Sequence, residues 1–96
     1  MAIGVIATLT VQDGKGAELE AVFRDLAAQV RANEKGNKLY QLCKSRMAAN
    51  TYVVMELYED QAALDAHGKT DHFRAAGPKL GGCLAGRPDI QFLDTV

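Results

Sequence analysis

From Tyr52 to Tyr58 the chain runs Tyr-Val-Val-Met-Glu-Leu-Tyr, and this stretch constrains the fold more than any other. Read as a strand, it points Tyr52, Val54, Glu56 and Tyr58 one way and Val53, Met55 and Leu57 the other. Successive side chains of a strand alternate between faces, so a strand apolar on both sides must be covered on both. Any architecture for this chain has to supply two coverings for one sheet.

The flanking patterns say what one covering is. Ile3, Val5, Ala7, Leu9 and Val11 alternate with Gly4, Ile6, Thr8 and Thr10, a period of two in β-branched residues that predicts a first strand closed by Asp13-Gly14. Leu19, Val22, Phe23, Leu26, Ala27 and Val30 then recur at helical spacing, with Glu20 and Arg24 an i,i+4 pair on the wet side and Lys35-Gly36-Asn37 as the stop. Leu39 to Met47 and Tyr52 to Tyr58 read as antiparallel strands joined through Ala48-Ala49-Asn50-Thr51, with Asn50 available for a left-handed position. Asp60 is a natural N-cap for a short helix through His67, and Thr70 for a second that carries Phe73, Ala76 and Leu80 before Pro78 and Gly81-Gly82 weaken it. Arg87-Pro88 opens a last strand, Asp89 to Leu93.

Strand, helix, strand, strand, helix, strand is the order of the split βαβ or ferredoxin-like α+β fold, an antiparallel four-stranded sheet with helices on one face. The remaining open face is best covered by a second copy of the chain packed sheet to sheet about a two-fold axis, so a homodimer is expected. The 96 residues are expected to form one domain, residues 1–96, without a separate cofactor domain, and they contain no internal repeat.

Composition narrows the partners. Eleven Lys and Arg against twelve Asp and Glu leave a net charge of −1, with no basic run and no interleaved aromatic platform, which argues against nucleic-acid binding. No apolar run approaches the roughly 18 residues of a membrane helix, and Met1-Ala2-Ile3-Gly4-Val5 lacks the basic start of a signal peptide, so no membrane association and a cytoplasmic location are expected. Cys43 and Cys83 have no metal-binding spacing and read as buried or half-buried thiols.

Chemistry concentrates between Glu56 and Phe73. A carboxylate at Glu56, mid-strand between Met55 and Leu57, must find hydrogen-bond partners or take up a proton if it faces the helices; at an exposed edge it would pair with a lysine instead. His67 lies one turn after Ala63 and Leu64 and can turn toward Glu56 and Tyr58, or it can serve as a cation at a helix C-terminus. His72, in a first helical turn, is expected at the surface. His67 and His72 with Asp65 and Asp71 do not converge well enough for a metal, no nucleophile triad has a credible spacing, and Gly14-x-Gly16 is too short for a phosphate loop.

The segment Tyr52-Val53-Val54-Met55-Glu56-Leu57-Tyr58-Glu59-Asp60, then Ala63-Leu64-Asp65-Ala66-His67 and Thr70-Asp71-His72-Phe73, resembles the antibiotic-biosynthesis-monooxygenase family, whose element order matches the whole chain. The resemblance implies a dimeric α+β barrel and one of several chemistries. The heme-degrading branch carries an Asn in the first strand, a Trp in the short helix and a heme-ligating His in the next, where this chain has Ala7, His67 and Gly77; the missing ligand argues against heme. The quinol-oxidising branch often has Trp at the position of Tyr58.

For that branch the resemblance implies oxygenation of a quinol or phenolic aromatic by O2 with no flavin, metal or heme. Glu56 or His67 would be the base, with Tyr52 and Tyr58 as hydrogen-bonding or stacking groups, Tyr58 among the catalytic residues, and Phe23, Leu26, Leu64 and Phe73 as the apolar wall. The same equipment would serve an isomerase of a small phosphorylated diketone if Lys69, Arg74, Lys79 or Arg87 held the phosphate, and similar dimers can be non-catalytic small-molecule binders.

Overall fold

The computed structural model describes residues 1–96. Its elements are β1 (Ile3–Thr10), α1 (Gly16–Asn33), β2 (Asn37–Lys44), β3 (Thr51–Tyr58), α2 (Gln61–Gly68), α3 (Asp71–Cys83) and β4 (Asp89–Asp94). The strands form one four-stranded antiparallel sheet in the order β2-β3-β1-β4, the ferredoxin-like α+β arrangement expected from the element order.

Both local caps of the Asp60 to Phe73 segment form. Asp60 Oδ1 accepts from the Ala63 amide at 2.8 Å, and Thr70 Oγ1 accepts from the Phe73 amide at 3.2 Å, so each helix start satisfies one of its orphan donors. Asn50 takes φ 57, the left-handed position that closes the β2–β3 connection. Ser45 ends β2 earlier than Met47, because its Oγ accepts from the Met47 and Ala48 amides and turns the chain.

The last helix departs from expectation. α3 continues through Pro78 and Gly81-Gly82 to Cys83. Proline removes only one amide donor, and the face presenting Ala76, Leu80 and Cys83 packs against α1 tightly enough to hold the helix together. The expected Glu20–Arg24 pair does not form either; Glu20 Oε2 accepts the Tyr52 hydroxyl at 2.5 Å.

Leu19, Phe23, Leu26, Ala27 and Val30 of α1 bury against Ala7 and Leu9 of β1, Tyr40 of β2 and Tyr52 and Val54 of β3, forming the core on one face of the sheet. Register places Ile6, Met55 and Gln41 side by side on the other face, where Leu39, Met55 and Leu93 remain exposed. No helix is long and apolar enough to cross a membrane.

Candidate active site

Between the sheet and the helices lies a cavity of about 430 Å³. β1 gives its floor Val5, Ala7 and Leu9, and β3 gives Val54 and Glu56. Phe23 from α1, Leu64 and His67 from α2, and Phe73 and Leu80 from α3 form its walls. It is open toward β4, where Ile90 and Phe92 face the helix side yet stay 50% and 65% exposed, because β4 lies beyond the cover of α1. The lining is mostly apolar, with polar side chains only at Tyr40, Glu56 and His67, the usual chemistry of a small-molecule pocket.

Glu56 and Tyr40 are direct cross-strand partners on β3 and β2. Tyr58, two positions along the same face, donates its hydroxyl to Glu56 Oε1 at 2.7 Å. Burial pushes the Glu56 carboxyl above its ordinary range; the Tyr58 bond and nearby His67 oppose this, while Glu34 adds to it. The Tyr58 hydroxyl is pushed far up by burial and by its bond to Glu56, and the Tyr40 hydroxyl by burial and by the charges of Glu56 and Glu34. Both phenols are therefore firm donors at neutral pH.

His67 is the one polar residue in the buried core, 5% exposed, and its ring sits among Phe73, Tyr40 and Tyr58 at centroid distances of 4.6, 5.3 and 5.5 Å. Its Nδ1 lies 2.9 Å from Glu34 Oε1 and 3.0 Å from Oε2, and His72 Nε2 lies 2.6 Å from the same Oε2. Glu34 is the extended residue that ends α1, its amide bonded to Val30 O at 2.9 Å. An anion at the negative end of a helix is unfavourable by itself; two imidazole donors supply the compensation. The close pass of the next turn over α2 makes this possible: a Cβ on Gly36 would stand 2.5 Å from Ala63 Cβ, and Gly36 O accepts the Glu59 amide at 2.8 Å.

Of the residues singled out in the sequence, Glu56, His67, Phe23, Leu64 and Phe73 line the cavity. Tyr58 is fully buried behind it, bonded to Glu56 and packed against the His67 ring, and does not line it. Tyr52 and Leu26 lie elsewhere. Tyr52 shares the face of Glu56, yet two residue pairs of strand carry it toward α1, where it meets Glu20 beside a separate surface groove. Leu26 faces α3, next to a shallow groove that includes His72. His72 is not a surface residue, because Glu34 draws its ring inward to 14% side-chain exposure.

Glu34 and Tyr40 are the residues that the sequence did not single out. Tyr40 becomes visible once the β2–β3 register is known, and Glu34 carries only a weak signal, an acid where a helix C-terminus favours bases. Cys43 is half-buried and Cys83 buried, both as free thiols. No group of three or more His, Cys, Asp or Glu side chains is arranged to hold a metal ion. Ala7, His67 and Gly77, the positions that depart from the heme-degrading pattern, all border the cavity.

The family profile described as "Antibiotic biosynthesis monooxygenase" matches residues 2–79. YcnE of Bacillus subtilis (strain 168), provisionally named a monooxygenase, is 34% identical over 68 residues, covering 71% of this chain and 70% of YcnE. A Caulobacter crescentus CB15 structure, provisionally described as an antibiotic biosynthesis monooxygenase, is 53% identical with a TM-score of 0.97, covering 99% of this chain and 90% of that one. SnoaB of Streptomyces nogalater, described as a cofactor-independent oxygenase, has the same fold at 21% identity and a TM-score of 0.84, covering 98% of this chain and 92% of its own. The chain belongs to the antibiotic biosynthesis monooxygenase family.

Proposed function

We propose that this protein is a cofactor-independent monooxygenase that oxidises a quinol or phenolic aromatic substrate with O2. The observation that carries the reading is the largely apolar cavity with Glu56, His67 and Tyr40 grouped on its wall. An electron-rich aromatic ring can occupy the apolar part while its hydroxyl meets the polar group. Such a substrate needs only a base, a donor for the resulting oxyanion, and a space dry enough for that anion to react with O2.

In this reading Glu56 or His67 removes the phenolic proton, and the Tyr40 hydroxyl donates to the phenolate. Tyr58 keeps Glu56 in place. Phe23, Leu64 and Phe73 hold the ring. The anion gives one electron to O2, the radical pair joins at a hydrogen-bearing ring carbon, para to the oxygen in a phenol or ortho to it in a quinol, and the carbon-bound peroxide loses that carbon's hydrogen as its O–O bond breaks. One oxygen atom becomes the new quinone carbonyl; the other leaves as water with the two hydrogens lost by the substrate.

The homodimer and a cytoplasmic location belong to the same proposal. The uncovered sheet face bearing Leu39, Met55 and Leu93 supports the first. The phosphorylated-diketone isomerase has less support, since none of Lys69, Arg74, Lys79 and Arg87 borders the cavity.

Oxygen uptake by metal-stripped protein, measured against a panel of hydroquinones and hydroxylated polycyclic aromatics, tests the reading. Uptake with at least one of them is expected without additions. Uptake that appears only with added flavin or iron would contradict it.

A further inference from the structure

The geometry points to Glu34 as the positioning residue that makes His67, rather than Glu56, the base of the proposed oxygenation. The inference rests on that reading for its chemistry but on geometry for its core. A carboxylate only accepts hydrogen bonds, so His67 presents Nδ1–H to Glu34 at 2.9 and 3.0 Å and His72 presents Nε2–H to it at 2.6 Å. With Nδ1 carrying the proton, the lone pair of neutral His67 is on Nε2.

Where that lone pair faces follows from the remaining contacts. His67 Nε2 takes part in none of the protein's hydrogen bonds, yet no buried side-chain nitrogen or oxygen is left without a partner. Nε2 therefore reaches open space, and the space His67 borders is the cavity. The Glu34–His67 pair thus has the arrangement by which a buried carboxylate fixes a histidine's tautomer and balances the imidazolium formed when it takes a proton.

Glu56 is placed differently. Its Oε1 is occupied by the Tyr58 hydroxyl, and burial disfavours the charged form that a carboxylate base must hold before it abstracts. In the reaction, the substrate O–H proton passes to His67 Nε2 and the positive charge is held against Glu34. The same proton returns to the departing oxygen as water forms, so the site ends as it began. His72 steadies Glu34 from the far side, beside a surface groove that also contains Asp25 and Lys79.

The test combines imidazole nitrogen NMR with kinetics on the wild-type protein and on Glu34→Gln, which keeps the shape and removes the charge. The wild type is expected to show His67 with the proton on Nδ1. Glu34→Gln should move that proton to Nε2 in part or whole and cut kcat by about a hundredfold or more with little change in KM. Tyr52→Phe, whose hydroxyl bonds Glu20 outside the cavity, should keep the Nδ1–H signature and the activity. A wild-type spectrum with the His67 proton on Nε2, or wild-type kcat in Glu34→Gln, would overturn the assignment. If the wild type consumes no oxygen with any phenol, the oxygenase reading falls, and the spectra alone still decide whether Glu34 sets the His67 tautomer.

Discussion

Glu34 and His67 are 33 positions apart in the chain, yet Glu34 Oε1 lies 2.9 Å from His67 Nδ1. The contact joins the residue that ends α1 to the last turn of α2, and it places a buried acid behind the one histidine that borders the cavity. Local rules formed each half: Asp60 capped α2, and the break before Gly36 ended α1.

Glu56→Gln should separate function from stability. The folded-state pKa of Glu56 is raised, so its contribution to stability is fully present below the unfolded value and is lost as pH rises through the folded one. Gln remains neutral and can still accept from Tyr58. The variant should therefore gain in Tm relative to the wild type as pH rises above the ordinary carboxylate range, with the gain levelling off at higher pH. Thermal melts across pH 4 to 8 check this, and a Tm difference that shrinks with pH would contradict it.

Tyr40→Phe and Tyr52→Phe form a contrasting pair. Tyr40 borders the cavity, and loss of its hydroxyl should cut kcat by about 10²-fold or more if it holds the phenolate. Tyr52 spends its hydroxyl on Glu20 outside the cavity and is pushed up to about 12 mainly by that bond. Its variant should lose about 1 kcal/mol of stability and keep its rate. Steady-state oxygen uptake with urea melts distinguishes the two.

Gly36→Ala should cost about 1–3 kcal/mol, because the new methyl would overlap Ala63 Cβ at 2.5 Å and force α2 from the turn. The displacement would also lengthen the Glu34–His67 contact. Urea denaturation should show the loss, and a broadened His67 imidazole signal should accompany it.

The uncovered sheet face predicts a light-scattering mass of two chains at micromolar concentration. Met55, flanked by Ile6 and Gln41, is central to that face, so Met55→Asp should bury a charge in the interface and shift the mass to that of one chain. A monomeric wild type would remove the dimer from the account.

The fold was legible because its signals are local and agree with one another. The period-two runs of β1 and β3, the helical spacing from Leu19 to Val30 and the caps at Asp60 and Thr70 all name the same arrangement. α3 runs on past Pro78, against the local signal, because packing against α1 outweighs one lost hydrogen bond. Within the site, Glu56 and His67 stood out as polar groups in apolar stretches. Tyr40 did not, since its place opposite Glu56 depends on a register set by the Ser45 to Asn50 connection. Glu34 did not because its partners come from two other helices, and no spacing in the chain records a contact of that kind. Tyr52 shows the converse, a residue on the right face of β3 but too far along the strand to reach the cavity.

The most direct measurement is the mass of the product formed by metal-stripped protein from a phenol under ¹⁸O2. Cofactor-free monooxygenation predicts one oxygen atom from O2 in the quinone and none from water. A product whose new oxygen comes from water, or a protein that yields no product until flavin or iron is restored, would contradict the account.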